Sequence, residues 1–288
     1  MGRRLVVPAP VLVLLSITSV QIGSAVARTL FDEFGASGIT LLRLGIAALV
    51  FGVVFRPRVW RWGAAAWRAA ALLGLVMAGM NLVFYLALRT VPLGTAVTVE
   101  FIGPLSLALV QTRRLIDLLW ALLAGCGVVL LGLGSGPGAP LAGLALALVA
   151  GLCWAGYIVL SARLGSLVPG TGGLAVSLAV AALLVLPFGA GGAVAIFDRP
   201  VLLVGGASVA LLSSVLPYGL EINALRHLPT RVFGILMSLE PAAAAIAGLF
   251  LLHQQLGPRE LAALALVSLA SLAVTLGHRE PAPVGTPG

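Results

Sequence analysis

No lysine occurs anywhere in the 288 residues, and charge of either sign is scarce. The 17 arginines and 9 acidic residues make up 9% of the chain, where a soluble globular domain carries roughly 25%. That is too little charge to cover a water-exposed surface, which excludes a cytosolic enzyme, a disordered polar chain and a secreted disulfide scaffold. The two cysteines, Cys126 and Cys153, sit inside apolar runs and offer no disulfide framework. Signature motifs are missing too: there is no H-E-x-x-H, G-x-S-x-G, Walker loop or G-x-G-x-x-G. His227, His253 and His278 stand singly near the ends of apolar runs, so neither a metal nor a cofactor is expected. Without a nucleotide motif, any uphill work must draw on an ion gradient.

What fills the chain instead is apolar: 60% of residues, with a mean hydropathy of +1.15. A helix needs about 20 apolar residues to cross a bilayer. Ten such runs are marked, at 6–27, 38–55, 69–89, 94–112, 117–134, 141–162, 173–192, 200–224, 231–252 and 259–277. The spacing predicts an all-α membrane protein of ten spans, with the Pro/Gly-rich residues 280–288 as a disordered tail. The first run lacks an A-x-A-like cleavage site and reads as a span.

Arginine placement sets the orientation. With the N-terminus in the cytoplasm, that side holds twelve: Arg3, Arg4, Arg56, Arg58, Arg61, Arg68, Arg113, Arg114, Arg163, Arg226, Arg231 and Arg279. The other side holds four: Arg28, Arg89, Arg199 and Arg259. Both termini are therefore expected in the cytoplasm of a bacterial cell. The same asymmetry accounts for the net charge of +8, so no nucleic-acid partner is expected.

An internal repeat is legible. Ala87-Leu-Arg-Thr-Val-Pro92 and Ala224-Leu-Arg-His-Leu-Pro229 both read A-L-R-x-[V/L]-P, and each is followed by a second proline 12 residues on, Pro104 and Pro241. The offset of 137 residues divides the chain into repeats at 1–135 and 136–279. Each holds five spans, and an odd number forces the second repeat upside down relative to the first. Inverted repeats mark transporters, with binding near the midplane where the halves meet.

Polar groups inside the runs fit that reading. Glu100, Glu221 and Glu240 lie in spans 4, 8 and 9, where a charged side chain costs about 2–4 kcal/mol. Such groups persist only where they face a wet cavity, find partners or stay protonated, and these three are the candidate carriers of a coupling proton. Arg43 in span 2 is the one cation at depth, either a counter-ion or the partner of a substrate carboxylate. Proline lacks an N–H, so it frees the carbonyl four residues earlier. Pro104 frees that of Glu100, Pro217 that of Ser213 and Pro241 that of Met237. Asn81 and Tyr85, Trp154 and Tyr157, and Tyr218 and Glu221 pair at helical spacing, and Gln21 lies in a polar stretch of span 1. These side chains wall a cavity or orient a polar solute. Thr18, Ser213 and Ser214 read as helix-packing residues, as do the small pair Ala244 and Gly248.

Several segments resemble one family. They are residues 21–25 (Gln-Ile-Gly-Ser-Ala), 79–85 (Gly-Met-Asn-Leu-Val-Phe-Tyr), 91–94, 100–105 (Glu-Phe-Ile-Gly-Pro-Leu), 216–221 (Leu-Pro-Tyr-Gly-Leu-Glu), 228–234 and 236–241 (Leu-Met-Ser-Leu-Glu-Pro). With ten spans in two inverted halves, they resemble the EamA-type transporters of the drug/metabolite transporter superfamily over nearly the whole chain. The resemblance implies secondary-active efflux of small neutral amino acids of the threonine or homoserine type, driven by proton exchange through alternating access. It supplies no residue roles, so the site rests on the polar residues above. A drug or other metabolite carrier on the same scaffold, a membrane enzyme and a channel stay open. The expected partners are the solute, protons and the lipid bilayer; direction of transport is not readable, and a homo-oligomer stays open.

Overall fold

The computed structural model describes residues 8–111, 115–133, 140–225, 227–228 and 230–277. The expected tail at 280–288, the turn before Pro140 and Arg3, Arg4, Arg113, Arg114, Arg226 and Arg279 lie outside the described residues. Within them the chain is helical throughout, without strands. We label the elements α1 (Ala9–Thr29), α2 (Phe31–Phe55), α3 (Ala64–Ala87), α5 (Leu115–Leu133), α6 (Leu141–Leu167), α7 (Gly172–Ala193) and α10 (Pro258–Gly277). Three more are interrupted. In α4, Leu93–Glu100 and Ile102–Gln111 meet at Phe101. In α8, Val201–Ala210 and Leu216–Leu225 are joined by a π turn, Leu211–Val215. In α9, Thr230–Met237 is followed by Glu240–Leu252.

Proline sets several of the starts: Pro8, Pro92, Pro140 and Pro200 stand immediately before α1, α4, α6 and α8. There the missing N–H costs nothing and the fixed φ suits a first turn. Left-handed residues close two ends, Arg56 after α2 (φ 42°) and His253 after α9 (φ 55°).

Among the described residues, nine helical segments are long and apolar enough to cross a membrane. The expected run at 117–134 falls on α5, whose apolar part, Leu119–Leu131, is shorter than a span. The α2 helix starts at Phe31, earlier than its expected run at 38–55. Asp32 and Glu33 in its first turn kept those residues out of a hydropathy window, and Gly35 (φ 65°) kinks the helix there. The α6 helix likewise runs on to Leu167, past Arg163.

Large apolar side chains such as Leu49, Val53, Leu183, Phe188 and Phe250 point outward. Lipid tails are as apolar as these side chains, so helix association depends on close packing of small residues rather than on burial of oil. The packing shows it. A Cβ on Gly103 of α4 would fall onto the carbonyl of Gly151 in α6, and one on Gly192 of α7 onto the carbonyl of Phe34 in α2. A Cβ on Gly23 of α1 would strike the Ser213 hydroxyl in α8.

The pairings are regular. The α2 helix packs on α7, α4 on α9 and α5 on α10. The α3–α6, α3–α7 and α4–α6 contacts have counterparts in α8–α1, α8–α2 and α9–α1. Replacing each helix by the one five places on maps these pairings onto one another, while the α4–α10 and α2–α3 contacts have no counterpart of that size.

Candidate functional site

A cavity of about 570 Å³ lies where α1, α2, α3, α4, α6, α8, α9 and α10 converge, within the range of small-molecule sites. Its polar wall is built from Gln21, Arg43, Asn81, Glu100, Glu221 and Glu240. Trp154, Tyr157 and Tyr218 line it, as do Pro104 and Pro217. Along α1 and α2 these residues sit near mid-helix, and along α3 they lie toward Ala87; along α6, α8 and α10 the lining runs from mid-helix toward the ends at Leu167, Leu225 and Gly277. Apart from its α3 lining, the cavity therefore occupies the middle of the bundle and the half on the side of the chain termini. Cross-helix contacts tie the opposite half together. The Leu93 N–H donates to Gln254 Oε1 (2.8 Å), and Arg28 Nη2 donates to the carbonyl of Arg89 (3.2 Å). A Cβ on Gly94 would meet the backbone of Ala245.

The three glutamates are held differently. Glu221 accepts a hydrogen bond from Ser16 Oγ at 2.7 Å, across the α1–α8 contact. Glu240 Oε1 accepts from Gln21 Nε2 at 3.4 Å, while Glu240 Oε2 and Gln21 Oε1 are buried without partners. Glu100, Glu221 and Glu240 all line this one cavity. The carbonyl of Glu100, freed by Pro104, abuts Gly151 of α6. No trio of His, Cys, Asp or Glu among the described residues is grouped to hold a metal ion.

Among the described residues Arg43 makes no ion pair, and the one salt bridge is Arg199–Glu33, at 2.9 Å, near the helix ends opposite the termini. Neutral acceptors hold its guanidinium instead. Nε donates to Ser214 Oγ (3.0 Å), Nη1 to Tyr85 Oη (3.2 Å) and Nη2 to the carbonyl of Ser213 (2.7 Å). That carbonyl is the one Pro217 leaves without an α-helical donor. Two of the five guanidinium N–H groups are left over, and Arg43 lines the cavity.

One expectation is corrected. Tyr85 is fully buried behind Arg43 and does not line the cavity; its hydroxyl is spent as an acceptor for the guanidinium. Pro241, read as a helix-breaking residue, stands in the first turn of the second segment of α9. Asn81 lines the cavity, but its amide N–H donates to the carbonyl of Met77 (2.8 Å). Ser213 and Ser214, read as packing residues, anchor the arginine. Phe101 stacks edge-on against Trp154 (5.6 Å between centroids) and adds to the wall. Ser271 and Thr275 of α10, also lining the cavity, were passed over; their i, i+4 spacing in an apolar run was the available signal.

An apolar exterior, helices long enough to cross a bilayer and a polar cavity at the centre of the bundle define a multi-pass membrane transport protein. The family model for EamA-like transporters matches residues 141–276. The "Threonine/homoserine exporter RhtA" of Salmonella typhimurium (strain LT2) is 44% identical over 285 residues, covering 97% of this chain and 96% of that protein. Its counterpart in Escherichia coli (strain K12) is 42% identical over 283 residues, covering 96% and 95%. The chain belongs to the EamA-like transporter family. A crystal structure of another protein, 18% identical, has the same fold, with a TM-score of 0.58 over 92% of this chain and 96% of that one.

Proposed function

We propose that this protein exports small neutral amino acids of the threonine or homoserine type from the bacterial cytoplasm, exchanging them for protons by alternating access. The observation that carries the reading is the convergence of Glu100, Glu221, Glu240 and Arg43 on one cavity in an otherwise apolar bundle. Buried ionisable groups are costly in a membrane and earn their place on a solute or proton path. The exporters that are 42–44% identical over nearly their full length supply the solute class.

In this reading ten helices cross the inner membrane as two inverted repeats, residues 1–135 and 136–279, with both termini in the cytoplasm. The n to n+5 symmetry of the helix pairings supports the repeat, and the arginine asymmetry supports the orientation. The cavity, on the side of the termini, then faces the cytoplasm, where an exporter loads. One of Glu100 and Glu240 holds the substrate ammonium and the other exchanges the proton. The free N–H groups of Arg43 face the carboxylate. Asn81, Trp154, Tyr157 and Tyr218 shape the walls. Alternating access closes this mouth and parts the contacts at Leu93–Gln254 and Gly94–Ala245.

The test is flux of labelled homoserine in proteoliposomes with and without an imposed pH gradient. Saturable, gradient-driven uptake is expected; no flux, or flux blind to the gradient, contradicts the reading. The aromatic wall at Phe101 and Trp154 favours one alternative, efflux of bulkier apolar solutes. Competition by aromatic cations that outdoes homoserine would support it.

A further inference from the structure

Within the exchange proposed above, two carboxyls need different work done, and the structure treats them differently. Gln21 is 2% exposed and Glu240 7%. Both line the cavity, one from α1 and one from α9. Their single mutual hydrogen bond uses Gln21 Nε2 and Glu240 Oε1 (3.4 Å). What is left over is Gln21 Oε1 and Glu240 Oε2, two buried acceptors with no donor. A buried acceptor left unpaired costs about as much as a lost hydrogen bond, so the pair is incomplete by a donor. An ammonium group carries three N–H donors and the charge that a carboxylate complements. Gln21 thus fixes one oxygen of Glu240 and leaves the other, and its own carbonyl oxygen, as two unpaired acceptors for such a group.

Glu100 has no such frame. No side chain among the described residues hydrogen-bonds its carboxyl, while Glu221 is already engaged by Ser16. An unframed carboxyl on the cavity wall suits a group that only gains and loses a proton. We infer that Gln21 and Glu240 together form the ammonium subsite, and that Glu100 carries the exchanged proton. This rests on the reading of the protein as an amino-acid exporter and deepens it.

The experiment is homoserine exchange in proteoliposomes at equal pH on both faces, where no net proton movement is needed. Glu240→Gln is expected to lose exchange at least tenfold, whereas Glu100→Gln keeps exchange and loses only gradient-driven accumulation. The reverse pattern, or two variants behaving alike, overturns the assignment. Gln21→Leu, which leaves both carboxyls in place, guards against a Glu240 variant that does not fold. It is expected to weaken competition by threoninol, an ammonium without a carboxylate, about tenfold. Competition by 2,3-dihydroxybutanoate, a carboxylate without an ammonium, is expected to stay unchanged. Equal weakening of both, or of neither, overturns the proposal. If the wild-type protein itself exchanges neither threonine nor homoserine, the export reading falls instead, and the two failures are distinguishable.

Discussion

Helices α4 and α9 begin with the same A-L-R-x-[V/L]-P approach and break at the same place. Phe101 and Ser238, the first residues outside their helical segments, are separated by the offset of 137 that separates Ala87 from Ala224. Yet they pack differently. Position 103 in α4 is glycine and lies backbone to backbone on Gly151 of α6. Its counterpart in α9 is Glu240, facing Gln21 of α1. Glu100 ends the first half of α4; Glu240 begins the second half of α9. The break is a tight seam in α4 and a polar, partly unsatisfied contact in α9. The two breaks share their spacing; what differs is their packing.

The tight seam is the more fragile. Gly151→Val would drive a side chain into the Glu100 carbonyl, at a cost of about 3 kcal/mol. Loss of monodisperse protein in detergent is expected, whereas Gly125→Ala, with open space around it, leaves the elution profile unchanged. If both behave alike, the α4–α6 seam is not what it looks like.

The glutamates come next. Under an imposed pH gradient, Glu100→Gln and Glu240→Gln are each expected to lower homoserine accumulation at least tenfold, while Glu33→Gln, at an exposed ion pair, leaves it unchanged. Wild-type accumulation by both cavity variants would remove the functional meaning of the contrast between α4 and α9.

Arg43 has no counterpart in the second half, where the offset falls on Val180. Arg43→Leu leaves the Ser213 carbonyl and two hydroxyls without their donor, and a loss of about 2 kcal/mol is expected in thermal unfolding. Arg43→Lys should recover part of it, since one ammonium cannot span three acceptors held by a guanidinium fork. A smaller loss, about 1 kcal/mol, is expected for Tyr85→Phe, which removes a single acceptor. The smallest is Glu33→Gln: an exposed pair contributes about 0–1 kcal/mol, and the melting temperature should barely move.

Much of this was legible in the chain. Length and hydropathy located the helices to within a few residues except at α2, where charged Asp32 and Glu33 masked a helical start, and at α3 and α6, where Arg68 and Arg163 cut the apolar runs short. Glutamates in apolar runs and prolines beside them pointed to the residues that line the cavity. What remained hidden was which neighbour answers each polar group. Spacing along one helix cannot reveal that the Ser213 carbonyl meets Arg43 from α2, or that Ser16 of α1 meets Glu221 of α8; those partners are 170 and 205 residues apart. Tyr85 misled for the same reason. Its i, i+4 relation to Asn81 is real, but a neighbouring helix takes its hydroxyl before the cavity can.

The division of labour between Glu100 and Glu240 can be read from the internal pH of liposomes as homoserine runs down its own gradient. Homoserine moving inward through the wild-type protein should drive protons out and turn the lumen alkaline, and through Glu100→Gln it should move with no pH change. A lumen that stays at its starting pH with the wild-type protein, or turns equally alkaline with Glu100→Gln, contradicts the account.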